Sequence, residues 1–261
     1  MTFKLSTAVT ASLLVFLSAF VSADDHKETS TVAPLNVQVQ LCSLLPGKTM
    51  AQYNRNNEKY FAWAKKNDVE VTFVRSTPLL THSNGRNNPA GYDFFELLAS
   101  DYETSGKAWD LWISTPEGQK LNAEWQSLAK CDVKMASLLR QWADMDAIRA
   151  DDNRITTWNW CIRKEGISSE QLTAKHRSIA AQYGEGIGNI GWFTFYPLIG
   201  GANTPGEFAH VVVYPDVAGL MEHQEWFSNG GWKDRQDYHN YADCQGESAV
   251  VEEVRNRPES Y

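Results

Sequence analysis

Two hydrophobic rhythms run along the chain. Short stretches rich in β-branched and aromatic residues read as strands: VQVQLC (37–42), VEVTFVRS (69–76), YDFFELLA (92–99), TTWNWC (156–161), IGWFTFY (190–196) and FAHVVVY (208–214). Between them, apolar residues recur at helical spacing, at positions 53, 60 and 64 and again at 172, 179 and 183. Thr49 and Ser168 stand where helix N-caps belong, and Ser168 with Gln171 makes a capping box. The pattern predicts helices over about 49–66 and about 168–183. A polar, glycine- and proline-containing loop leads into each third strand (THSNGRNNPAG and GGANTPGE), and a long helix follows it. Fourth strands are expected at about 133–140 and about 247–254, although SLLRQWADM (137–145) reads equally well as helix.

The two halves match. A shift of 119 residues carries Cys42 onto Cys161, Gly47 onto Gly166, Thr49 onto Ser168, Phe73 onto Trp192 and Pro78-Leu79 onto Pro197-Leu198. Further along the shift is 113: Gly118 meets Gly231, Trp125 meets Tyr238 and Cys131 meets Cys244. Loops absorb such a length difference at little cost. Residues 36–150 and 151–261 are therefore expected to be two copies of one β-α-β-β-α-β unit, the ferredoxin-like order.

Ahead of them, Lys4 precedes an uncharged, mostly apolar run from Leu5 to Val21, then Val21-Ser22-Ala23 and Asp24-Asp25. That is the layout of a cleaved signal peptide (1–23), the alternative being an uncleaved anchor, and residues 24–35 read as a disordered lead-in. No later segment is apolar enough to span a bilayer. The expected location is periplasmic or secreted. A net charge of −8 opposes nucleic-acid binding, which needs a basic surface.

Four cysteines in an exported chain suggest two disulfides, with three connectivities open and four free thiols as the alternative. In a ferredoxin-like sheet the fourth strand lies antiparallel beside the first. That order predicts Cys42–Cys131 and Cys161–Cys244, one bond per repeat.

The strands carry large apolar residues on both faces, as strands buried on both sides do; Trp192 beside Phe193 is an example. With the doubled unit, this resembles the dimeric α+β barrel superfamily, which includes the antibiotic-biosynthesis-monooxygenase-like and NIPSNAP-like proteins. The resemblance is architectural and covers nearly the whole mature chain. It implies an α+β fold in which two tandem ferredoxin-like sheets face each other as a pseudo-dimeric barrel. Members include cofactor-independent oxygenases, isomerases, haem-binding proteins and proteins without known activity, so the fold selects no function.

Motifs narrow the chemistry mainly by failing. GIGNIG (186–191) matches a dinucleotide fingerprint but follows a helix and enters a strand, the reverse of the required order. Gly47-Lys48-Thr49 lacks the first glycine of a phosphate loop, Cys42 standing in its place. No serine-hydrolase elbow or zincin motif occurs, and His210, His223 and His239 have no compact metal spacing. No metal or cofactor is predicted. The ten tryptophans invite a sugar-stacking reading, but Trp109, Trp112 and Trp226 read as helix core.

Polar residues inside strands carry the remaining signal. If Val39, Leu41, Trp158 and Trp160 share one face, then Gln38, Gln40 and Asn159 share the other, joined by Arg75, Glu96 and His210. These residues and Trp192 form the candidate ligand set, with His210 and Glu96 as catalytic candidates. The expected function is binding of a small apolar or aromatic molecule between the two halves. The alternatives are an oxygenase or isomerase without a tightly held cofactor, and a scaffold that neither binds nor catalyses.

Overall fold

The computed structural model describes residues 33–80, 91–182 and 187–258. The expected signal peptide, most of the lead-in, ten residues of the first polar loop, Tyr183 and Gly186 lie outside the described residues. The first repeat runs β1 (Leu35–Leu44), α1 (Met50–Lys66), β2 (Thr72–Leu80), β3 (Phe94–Ser100), α2 (Tyr102–Ser114), α3 (Pro116–Gln126) and β4 (Ala129–Ala143). A short α4 (Met145–Ala150) leads into the second: β5 (Asn153–Arg163), α5 (Ser169–Ala180), β6 (Gly191–Pro197), β7 (Phe208–Tyr214), α6 (Val217–Trp226), a π-helical turn (Phe227–Gly231), α7 (Trp232–Tyr238) and β8 (Ala242–Asn256).

Both first helices begin with complete capping boxes. The Thr49 amide donates to Gln52 Oε1 while the Gln52 amide donates to the Thr49 hydroxyl, and Ser168 and Gln171 repeat the arrangement. The long second helix expected in each repeat is instead broken. Proline at position 116 has no N–H to donate and forces Thr115 into extended backbone (ψ 144°), so Thr115 ends α2 and caps α3. Gly118 permits the tight turn, since a Cβ there would lie 2.5 Å from the Trp112 carbonyl oxygen. Its repeat counterpart Gly231 plays the same part, a Cβ falling 2.5 Å from the Trp226 ring.

Within each repeat the strands pair in the ferredoxin-like order, β4-β1-β3-β2 and β8-β5-β7-β6. The four outer edges then pair with one another, β2 with β8 and β4 with β6, and the eight antiparallel strands close into a barrel without a free edge. SLLRQWA belongs to β4, which is longer than expected because its far end pairs with β6 of the other repeat. Cys131 and Cys244 lie inside β4 and β8 rather than ahead of them. They sit directly opposite Cys42 and Cys161, with both pairs at disulfide distance.

The middle of the barrel is filled by apolar side chains, and the buried Thr156 and the Arg154–Glu252 ion pair lie on the same strand faces. Val37, Val39, Phe95, Ala136, Trp158, Phe195, Ala209, Val211 and Val250 form one buried cluster, and Trp158 meets Phe95 and Phe195 edge-on at 5.6 and 5.2 Å. The residues that alternate with these along the strands point outward to the helices. The polar strand residues are therefore set between sheet and helices, not between the two halves. A closed eight-stranded barrel has an interior that side chains can fill, and here Phe and Trp fill it.

Candidate functional site

Glu96 on β3 is flanked across the sheet by Gln40 on β1 and Arg75 on β2. Its carboxylate is fully enclosed. Arg75 donates to Oε1 through Nε (3.0 Å) and Nη2 (2.8 Å), Asn57 donates to the same oxygen at 3.2 Å, and the Tyr53 hydroxyl donates to Oε2 at 2.7 Å. Trp125 Nε1 donates to the Tyr53 oxygen at 2.8 Å, and Arg75 Nη1 reaches Asn54 Oδ1 at 2.6 Å. Burial pushes the Glu96 carboxyl above its ordinary pKa while the Arg75 charge pulls it down; burial and the Glu96 charge hold the Tyr53 phenol well above its own.

The second repeat places different chemistry in the same frame. His210 on β7 has Asn159 and Thr194 as its cross-strand neighbours, the counterparts of Gln40 and Arg75. Trp192 Nε1 donates to His210 Nδ1 (3.0 Å), and an indole N–H can only donate. The network thus assigns the His210 proton to Nε2, which meets the Tyr238 hydroxyl at 2.9 Å; that hydroxyl also meets His176 Nε2 at 2.8 Å. A line of hydrogen bonds runs Trp192–His210–Tyr238–His176. Burial depresses His176 to a pKa of about 4 and His210 well below the ordinary imidazole value. Both rings are neutral at pH 7.

A cavity lies above each network. Cavity 1, about 230 Å³, is walled by Tyr60, Trp63, Phe73, Trp109, Trp112 and Trp125, and Gln38, Gln40, Asn56 and Asn57 open onto it. The Gln38 and Gln40 side chains have no hydrogen-bond partner among the described residues, and the buried Asn56 Oδ1 accepts from none. Cavity 2, about 260 Å³, lies between β5, β7, β8 and the helices α5–α7; Trp192, His210, His223, Trp226, Phe227 and Tyr238 are among its walls. Trp109, Trp112 and Trp226, expected as helix core, are half-buried cavity walls, and α2 has no buried residue at all.

Of the residues singled out from the sequence, Gln38, Gln40 and Glu96 line cavity 1, with Arg75 beneath it, and Asn159, Trp192 and His210 line cavity 2. The structure does not bring the two sets into one site. Sequence reasoning missed the helix-borne partners: Tyr53, Asn56 and Asn57 on α1, Trp125 on α3, His176 on α5, His223 on α6 and Tyr238 on α7. The repeat register contained a signal, since Asn57 and His176 occupy equivalent positions under the 119-residue shift and each helps complete its repeat's network.

Metal and cofactor fit can be tested on these residues. Side-chain ligand atoms of Cys161, His210 and Cys244 lie within 4.8 Å of one another, but the two sulfurs are joined, and only thiolates ligate metal. Haem binding occurs in the superfamily that the sequence resembles. An axial histidine needs a free ring nitrogen; among the histidines lining cavity 2 both His210 nitrogens are engaged, which leaves His223 Nε2 and His239 Nε2. A cavity of about 260 Å³ falls below the roughly 300–1,000 Å³ of drug-sized ligand sites, so haem does not fit cavity 2 as built.

No protein-family model matches the chain, and no curated protein matches it. Solved structures do. A protein of Fusobacterium nucleatum with a provisional monooxygenase designation superposes with TM-score 0.51 at 12% identity, covering 87% of this chain and 95% of its own. A protein of the same designation from Lactobacillus acidophilus gives 0.48 at 9%, covering 87% and 97%, and a dye-decolorizing peroxidase from Bacteroides thetaiotaomicron gives 0.46 at 10%, covering 84% and 93%. With the closed eight-stranded sheet, the first of these likenesses establishes that the chain has the ferredoxin-like α+β barrel fold.

Proposed function

We propose that this is an exported protein that binds a small aromatic molecule with hydrogen-bonding edges in cavity 1, between the first repeat's helices and its sheet. One observation carries the reading: three carboxamides, Gln38, Gln40 and Asn56, face or border an aromatic-walled cavity without partners among the described residues. Buried polar groups are ordinarily paired, which leaves Asn56 Oδ1 wanting a donor, and a planar ligand with donor and acceptor edges would pair it and the two glutamines while its faces lie against the tryptophans. Export is supported by the two cysteine pairs at disulfide distance and by the leader pattern, and no helix among the described residues is long and apolar enough to cross a membrane.

The oxygenase or isomerase alternative is compatible at the level of fold. Its two candidate acid–base groups argue for binding instead. Glu96 accepts from three side chains and His210 has both nitrogens engaged within the protein, so a substrate would have to displace one of those partners or exchange its proton through Tyr53 or Tyr238.

Native mass spectrometry of the protein from its own host should show a co-purifying small mass. Quinolin-2-one should quench tryptophan fluorescence saturably, and Asn56→Leu should weaken its binding about tenfold by removing one buried hydrogen bond. Naphthalene, which has no polar edge, should bind the variant as well as it binds the native chain. A bare protein that saturates with neither compound would overturn the reading.

A further inference from the structure

The second repeat carries an unpartnered acceptor of its own. His223 on α6 is 8% exposed and belongs to neither network. Its Nδ1 lies 3.1 Å from the Ile187 carbonyl oxygen, which can only accept, so Nδ1 holds the proton and Nε2 is left with a bare lone pair. Among the described residues nothing donates to that nitrogen. The ring is packed by Tyr214 (5.5 Å between centroids) and Trp226 (5.4 Å), which fix its plane, and it forms part of the wall of cavity 2. Around it the cavity is largely aromatic and aliphatic: Trp192, Val212, Trp226, Phe227 and Ile179.

We propose that cavity 2 is a second ligand site, separate from cavity 1, which takes a small planar aromatic molecule whose hydroxyl donates to His223 Nε2. The bound partner must donate, because a neutral imidazole with Nδ1 already committed can only accept. It must be flat and largely apolar, because the walls are rings. It is not an anion: Glu247 faces His223 from β8, and an acceptor group would meet the Nε2 lone pair. Burial holds His223 below the ordinary imidazole pKa against the opposing pull of the Ile187 carbonyl and Glu247, which keeps the lone pair available. The remaining charged groups of the cavity, Lys175, Asp234 and Arg235, come from α5 and α7. A hydroxyl is also the group best discriminated by such a site, since a ligand that lacks it leaves a buried acceptor unpaired.

The test compares 2-naphthol with 2-methoxynaphthalene on the full chain, reading the His223 ring nitrogens by long-range proton–nitrogen correlation NMR. 2-Naphthol should bind saturably and shift the Nε2 resonance, and the methyl ether should bind at least tenfold more weakly with no such shift. His223→Leu should abolish the discrimination while native near-ultraviolet dichroism shows that the fold persists; Asn56→Leu, in the other cavity, should leave it intact. Equal binding of the two compounds would overturn the proposal, as would naphthol binding that survives His223→Leu or disappears with Asn56→Leu. If His223→Leu does not fold, the native chain decides through the compound pair and the Nε2 shift alone.

Discussion

Replacing Arg75 with methionine isolates what the buried Arg75–Glu96 ion pair does for this fold. Arg75 and Glu96 expose only 5% and 1% of their side chains. In Arg75→Met the carboxylate keeps Tyr53 and Asn57 but loses both guanidinium bonds and the cation that faces it, and Asn54 Oδ1 loses its donor. Removing one partner of a buried pair costs about 3–5 kcal/mol, because the remaining charge stays out of water. At about 2–4 °C per kcal/mol for a domain of this size, the melting temperature at pH 7 should fall by roughly 6–20 °C. The defect should also depend on pH. With the cation gone, burial is opposed only by the Tyr53 and Asn57 hydrogen bonds and raises the folded Glu96 pKa further above the unfolded value, so the variant regains stability as pH falls and the carboxyl takes a proton. Thermal melts followed by circular dichroism at pH 5 and pH 7, with the disulfides intact, measure both effects. Arg75→Met/Glu96→Leu should recover most of the loss, since an apolar pair of similar volume replaces buried charges at little cost. A single variant melting within about 2 °C of the native protein, or a double variant no better than the single one, would refute the reasoning.

Other parts of the molecule give equally direct tests. His176 should make stability fall with acid. Its folded pKa of about 4 lies below the unfolded value near 6.5, so its contribution is complete above pH 6.5 and lost towards pH 4, worth about 3 kcal/mol; His176→Gln should flatten that part of the pH–stability curve. Cys161→Ser/Cys244→Ser opens a cross-link spanning 83 residues and should cost about 4 kcal/mol in chain-entropy terms, measured by urea unfolding against the native chain. Denaturing mass measurement of the native chain should give a mass about 4 Da below that of the reduced form. Gly188→Ala should destabilise by well over about 1 kcal/mol, because φ is +74° and the new Cβ would sit 2.2 Å from the Gly219 carbonyl oxygen; a melting temperature unchanged by that substitution would contradict the packing described.

Much of the architecture is written in local pattern. Thr49 and Ser168 announce their helices because capping is decided within four residues of chain. The duplicated order of strands and helices implies the sheet order, and that order places Cys42 opposite Cys131 and Cys161 opposite Cys244. Alternation also separates the two faces of each strand, Val39, Leu41 and Trp158 on one side and Gln38, Gln40 and Asn159 on the other. It cannot say which face looks inward, for a period of two is the same read from either side. The tertiary structure decided that: closing the sheet on itself leaves an interior that apolar side chains fill, so the polar face turned to the helices. Those helices then brought Tyr53, 43 residues away in the chain, onto Glu96, and Tyr238, 28 residues away, onto His210. Such contacts depend on how a helix lies across a sheet, which no local rhythm encodes. The cavities follow from the same cause, since both are walled by strand residues on one side and helix residues on the other.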